Sequence, residues 1–296
     1  MKSKYLFLVV GILVALPSVA KSAVVGGASS SEFARIDLTL SLLAGGVVTD
    51  ADASTFNNSA SAPAPYSVSP SVASQSLSAN VIATSPDTVS ISSGAITSEL
   101  NSDVDMLPGS RVASSQQVIS NLNFALGEVP VAGLNDVISI TADTMTVSSS
   151  VSGNFNALSS TGAMNVENLA ISVGGAAIDL TGIVDANGDI AVNTLVPLVG
   201  TLAGVSLVLN EQSTTGNGIE ELGLQTSAIS LRIDAVAISD GVATVGDLSG
   251  ITYVGRTNAS LNASAVPEPS SLAILGIASL GGVIWKRRHR PVSTEF

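Results

Sequence analysis

From residue 35 to residue 42 the chain alternates. Ile36, Leu38, Leu40 and Leu42 are apolar, and Arg35, Asp37, Thr39 and Ser41 are polar. A period of two puts one kind of side chain on each face of an extended segment, which predicts a half-buried β-strand. Shorter runs with the same character recur at residues 88–92, 137–147, 169–173, 205–209, 229–238 and 251–254, separated by Gly, Asn, Asp and Pro clusters. Residues 118–126 suit two periods: Val118, Leu122 and Leu126 lie four apart, as on a helix, while a strand fits equally well. Residues 54–78 are rich in Ser, Ala and Pro and nearly uncharged, which predicts a long loop. Residues 260–266 read as a spacer. The pattern predicts an all-β fold, an antiparallel β-sandwich over residues 21–259.

Both ends break the pattern. The chain opens MKSKYLFLVVGILVALPSVA: Lys2 and Lys4, an uncharged apolar run, then Pro17 and the small residues Ser18 and Ala20. This predicts a secretory signal peptide over residues 1–20, removed by signal peptidase. The apolar run is shorter than the ~20 residues that a membrane span needs. Near the other end, residues 269–285 form 17 positions without a charge. Such a run sits at the short limit for a single transmembrane helix, about 25 Å at ~1.5 Å per residue. Trp285 occupies an interfacial position, and Lys286, Arg287, Arg288, His289 and Arg290 follow at once. The positive-inside rule holds this basic cluster in the cytoplasm and places the preceding domain outside, with residues 291–296 as a short tail.

Charge and composition narrow the function of what is exported. Residues 21–266 carry five cationic residues (Lys21, Arg35, Arg111, Arg232 and Arg256) against 21 acidic ones, a formal charge of −16. An acidic exterior repels phosphate backbones, so no nucleic-acid partner is expected. There is no cysteine, and the single histidine, His289, lies beyond the apolar tail. The exported portion therefore lacks thiol and imidazole chemistry, and with it Ser-His-Asp catalysis and His or Cys metal ligands. Paired carboxylates could still hydrolyse glycosides, but no Trp is present there to form a sugar platform. The expectation is a protein that is not an enzyme and has no cofactor. Asp185, Asn187 and Asp189 of "DANGD" place oxygens at alternate positions, a spacing that could hold Ca²⁺. Asn187-Gly188 between two apolar runs is also a plain hairpin turn, and no Glu follows at the twelfth position. The acids of residues 101–106 read as a solvated strand face. The three Asn-x-Ser sequons, at Asn57, Asn258 and Asn262, fit chance in a chain this rich in Ser and Asn.

Pro267-Glu268-Pro269, the apolar run and the basic cluster, in that order over residues 267–290, resemble the PEP-CTERM sorting signal of Gram-negative bacteria. The resemblance implies recognition by exosortase near Pro267, Glu268 and Pro269. It also implies an inner-membrane intermediate and then release or transfer to the cell surface, often in organisms that make exopolysaccharide and biofilm. Residues 291–296 extend beyond the point where many such tails stop. A second resemblance lies in the core. "VSLVLNEQSTTGNGIEELGLQTSAISLRIDA", with "ISITADTM" upstream and "ITYVGRTNAS" downstream, is similar to the choice-of-anchor type P proteins, exported domains found with different C-terminal anchors. It implies no catalytic or binding residues, and Asn210-Glu211-Gln212 within it reads equally as the start of a polar loop. The function expected is an extracellular matrix or cell-envelope component. The alternative is an anchored module that binds polysaccharide or calcium.

Overall fold

The alternating run at residues 35–42 belongs to a strand that begins at Lys21. The computed structural model describes residues 21–42, 49–79, 89–127, 138–198, 204–239 and 244–266. Among them are strands β1 (Lys21–Leu42), β2 (Thr49–Ser61), β3 (Tyr66–Val68), β4 (Ser71–Val72), β5 (Gln75–Ala79), β6 (Val89–Ser93), β7 (Ile96–Ser102) and β8 (Arg111–Leu126). There follow β9 (Ile138–Asn154), β10 (Ala157–Glu167), β11 (Ala170–Val173), β12 (Ala176–Ala177), β13 (Thr194–Val196), β14 (Val205–Gly216), β15 (Glu221–Ser239) and β16 (Thr244–Val266). The six-stranded sheet runs β13-β14-β15-β16-β1-β2. The ten-stranded sheet runs β12-β11-β9-β8-β6-β5, with β10 on β9, β7 on β8, and β3 and β4 on β7. Every strand pair is antiparallel.

The sheets face each other across a shared interior. Phe33, Ile36, Leu38, Ile229 and Leu231 of the first meet Ile91, Ile119, Phe124, Ile140 and Met145 of the second in one buried cluster. A smaller cluster, Val24, Val104, Ala113, Val151, Leu224, Ala259, Leu261 and Ala263, lies towards the end where β1 begins and β16 stops. Between them the interior is polar and bridges the sheets. Ser31 Oγ donates to Ser98 Oγ at 2.9 Å, and Ser115 Oγ donates to the Ser30 carbonyl at 2.8 Å. Ser149 Oγ lies 2.9 Å from both Thr226 Oγ1 and Thr257 Oγ1. A partner offsets the cost of burying a hydroxyl, and these find theirs across the gap, whereas Ser227 Oγ, Ser230 Oγ and Thr252 Oγ1 are buried without one.

The change from large apolar to small polar filling follows a line across the six-stranded sheet. Pairing skips one residue on each strand at Asn210, Ala228, Gly255, Phe33 and Phe56. Three of these have left-handed backbone, with φ of 50° at Asn210, 62° at Gly255 and 50° at Phe56. Along this line the pleat changes phase, and the inward set on β1 passes from Ser29 and Ser31 to Ile36, Leu38 and Leu40. Glycine suits position 255: at φ 62° a Cβ there would sit 3.1–3.2 Å from side-chain atoms of Met145, Ala228 and Ile119, which would have to give way.

Three expectations are corrected. Residues 54–78 are not one long loop, because β2, β3, β4 and β5 occupy most of them. Their apolar content is low because β2 is an edge strand with little side-chain burial. Residues 260–266 are not a spacer but the end of β16, where Leu261 and Ala263 are buried and Asn262 and Ser264 exposed. Ala and Ser in alternate places give this strand its period without much hydropathy. The two acids of residues 101–106 are not on a strand face: β7 ends at Ser102, and Asp103 and Asp105 organise the loop after it. Residues 118–126, which suited both periods, lie in β8.

Candidate functional site: the pole where both ends of the domain meet

β1 and β16 are adjacent central strands, and their register sets Lys21 opposite Val266. Paired strands run about 5 Å apart, so the residue after the expected signal cleavage and the residue before Pro267 leave the domain side by side. The sheet continues to Val266, the residue before Pro267. Pro269, where the apolar run starts, lies three residues on from Val266, a reach of at most about 10 Å.

Three connections crowd the same pole. Pro108, in the β7–β8 loop, forms a bridge with Ala23. The Ala263 N–H donates to the Glu220 carbonyl in the β14–β15 connection, and the Asn156 N–H of the β9–β10 turn donates to the Ile219 carbonyl. The β7–β8 loop is held tightly. Asp105 Oδ1 accepts the Leu107 N–H at 3.0 Å and Arg111 Nε at 2.7 Å. Arg111 Nη1 donates to the Ser110 carbonyl at 2.9 Å, and Asp103 Oδ1 accepts the Val112 N–H at 2.6 Å. Val104 is fully buried beneath. These ties present Met106 and Leu107 to solvent at 54% and 59% exposure, with Met106 at φ 65°. A left-handed non-glycine residue costs about 1–2 kcal/mol, a strain that the surrounding hydrogen bonds maintain.

The Leu107 N–H first, and the Arg111 guanidinium after it, hold the Asp105 carboxyl below its ordinary 3.8, against an opposing desolvation. A carboxylate lowered in the folded state adds stability above the unfolded value, and that stability is lost as pH falls through the folded one. The Leu107 amide chemical shift is therefore expected to titrate with a midpoint below pH 3.8. A midpoint at or above that value would contradict the geometry.

Asp185, Asn187 and Asp189 come together as a turn. Asp185 Oδ1 accepts the backbone N–H groups of Asn187 and Asp189, each at 2.8 Å, and the Gly188 N–H donates to the Asp185 carbonyl at 3.1 Å. Asn165 Nδ2 donates to Asp189 Oδ1 at 3.0 Å and to the Asn187 carbonyl at 2.8 Å. The oxygens thus face N–H donors of their own loop and of Asn165 on β10, and Gly188, at φ 84°, makes the reversal. Among the described residues no cluster of three or more His, Cys, Asp or Glu is arranged to hold a metal ion.

Pro267, Glu268 and Pro269, the apolar run at residues 269–285, and Lys286, Arg287, Arg288 and Arg290 lie outside the described residues, as does the signal peptide expected over residues 1–20. Among the described residues no helix is long and apolar enough to cross a membrane. Comparison with protein families matches residues 265–288 to the PEP-CTERM protein-sorting motif. The chain carries a PEP-CTERM sorting motif. The match begins at Ala265, inside β16, so the PEP-CTERM motif and the folded domain overlap by two residues. A PEP-CTERM motif implies export, exosortase as the processing partner, and sorting to the cell surface. No curated protein and no solved structure matches the chain.

The organisation of the pole escaped the sequence pattern. Its signal was present: Met106-Leu107-Pro108-Gly109 is a Pro-Gly turn carrying two large apolar residues between Asp105 and Arg111, where a loop would ordinarily be polar.

Proposed function

We propose that the protein is a non-enzymatic component of the extracellular matrix or cell envelope, delivered by its PEP-CTERM tail. The observation that carries this reading is the attachment of that motif, without slack, to an acidic β-domain whose exported portion has neither histidine nor cysteine. Its arginines are occupied: Arg35 pairs with Asp52 at 3.5 Å, Arg111 with Asp105 at 2.6 Å, Arg256 with Glu32 at 3.3 Å, and Arg232 with Glu211. Arg256 also stacks 3.7 Å over the Tyr253 ring. Signal peptidase acts after Ala20, the apolar run at residues 269–285 holds an inner-membrane intermediate, and exosortase removes it.

Fractionation of cultures tests the role. The processed protein is expected with the polymer-rich extracellular material and is expected to wash off only with that material. Recovery as freely diffusing protein in the medium would overturn the matrix role. Calcium calorimetry on the processed protein examines the alternative: heat uptake or release that disappears in Asp185→Asn would make it a calcium-binding module through Asp185, Asn187 and Asp189. Exopolysaccharide is the expected matrix partner.

A further inference from the structure

The pole that carries both ends of the domain also carries an unusual share of the exposed apolar surface. Of the seven large hydrophobic residues exposed among the described ones, Met106, Leu107, Val112 and Ile219 are on it. Met106 and Leu107 sit on a loop whose polar groups are tied inward, to Arg111, to the Leu107 amide and to the strand beside them. A loop built for solubility alone would do the reverse. The exposed side chains thus lie at the pole from which the chain departs.

Where the chain goes next fixes what lies in that direction. Val266 is the last strand residue, and the uncharged run begins at Pro269. Three residues span at most about 10 Å, so a bilayer that holds the run cannot be farther than that from the pole. We infer that Met106 and Leu107 insert into the outer leaflet of the inner membrane, so that the tethered precursor rests on the bilayer by the β7–β8 loop as well as by its tail. Large apolar side chains on a loop tip fit the interfacial region, where their transfer from water is favourable. Asp105, the nearest carboxylate in the loop, is neutralised by Arg111 at 2.6 Å and so adds little repulsion from anionic lipid. The inference rests on the reading of the tail as a membrane segment.

The absence of cysteine and the single Trp285 make the test direct. The full chain, made without its processing enzyme, is reconstituted in vesicles of phosphatidylethanolamine and phosphatidylglycerol carrying a nitroxide-labelled lipid. A fluorophore is attached at Ser110→Cys, which leaves Met106 and Leu107 intact, and in a second sample at Leu195→Cys. Leu195 is exposed and pairs with Val208, about 26 Å along β14 from the pole end at Gly216. Quenching at position 110 is expected to exceed that at 195 several-fold, and Met106→Ser with Leu107→Ser is expected to reduce it at least about twofold with Trp285 quenching unchanged. Equal quenching at 110 and 195, or no loss in the serine variant, would overturn the inference while leaving the tail in place. Unquenched Trp285 would overturn the tail reading and the inference together. A signal at 110 that follows protein density and not nitroxide would assign the loop to a second copy of the chain and would also overturn it.

Discussion

Alanine in place of Pro267, Glu268 and Pro269 is expected to leave the protein at its precursor mass, with the C-terminal apolar segment attached and the domain in the membrane fraction. The PEP-CTERM match covers these residues, and the two prolines with the acid between them are its chemically distinctive part. The substitution leaves the sheet intact, because β16 ends at Val266 and its last pairing is with Lys21. Failure of processing would therefore reflect recognition and not misfolding, and the melting temperature serves as the control. Intact-mass measurement of the C-terminus decides the matter: the same terminus in the variant and the native protein would remove these three residues from the sorting signal.

The largest effect on stability is expected from Phe33→Ala. Phe33 is fully buried and stands where the small polar interior meets the aliphatic one, on the line along which the pairing of β1 skips. Its ring belongs to the main apolar cluster, in which Phe124 is the other fully buried aromatic residue. Removing such a ring costs about 3–5 kcal/mol, partly as lost transfer energy and partly as a cavity. For a domain of this size each kcal/mol lowers the melting temperature by about 2–4 °C, so a fall on the order of 10 °C is expected. Leu195→Ala, at a 63% exposed position, is expected to change stability by no more than about 0.5 kcal/mol. Denaturant unfolding of both variants checks the pair, and comparable losses would contradict the placement of the core.

Strand character was legible wherever large aliphatic residues mark the inward face, as at Ile36, Leu38 and Leu40, or at Ile138 and Ile140. It faded where the inward residues are Ser, Thr, Ala or Gln. On β8 the buried set runs Ala113, Ser115, Gln117 and Ile119, and only the last stands out by hydropathy. Residues 260–266 failed for the same reason, with Leu261 and Ala263 inward among Asn and Ser. The interruption at Asn121, whose φ is 47°, changes the inward phase from Ile119 to Leu122, so Val118 is not on the buried face with Leu122 and Leu126, and their four-residue spacing marks neither a helix nor a single strand face. The sorting motif was legible because its parts are chemically coarse: a proline pair, an uncharged run and a basic cluster. The pole beside it was not, because it is assembled from three connections and two chain ends that only the strand register brings together.

That register also sets an order of events. Of the described strands, β1 is the first to reach the outside of the membrane and β16 the last, yet they are neighbours within one sheet. Until β16 has crossed, β1 and β2 are separated from β13, β14 and β15, and the apolar faces of both groups lack their intervening strand. Closing a loop of this length is slow compared with forming the local hairpins, so the final sheet forms late. The strand that completes it leads directly into the sorting motif. Completion of the sheet and emergence of the sorting motif are thereby tied to the same two residues, Ala265 and Val266.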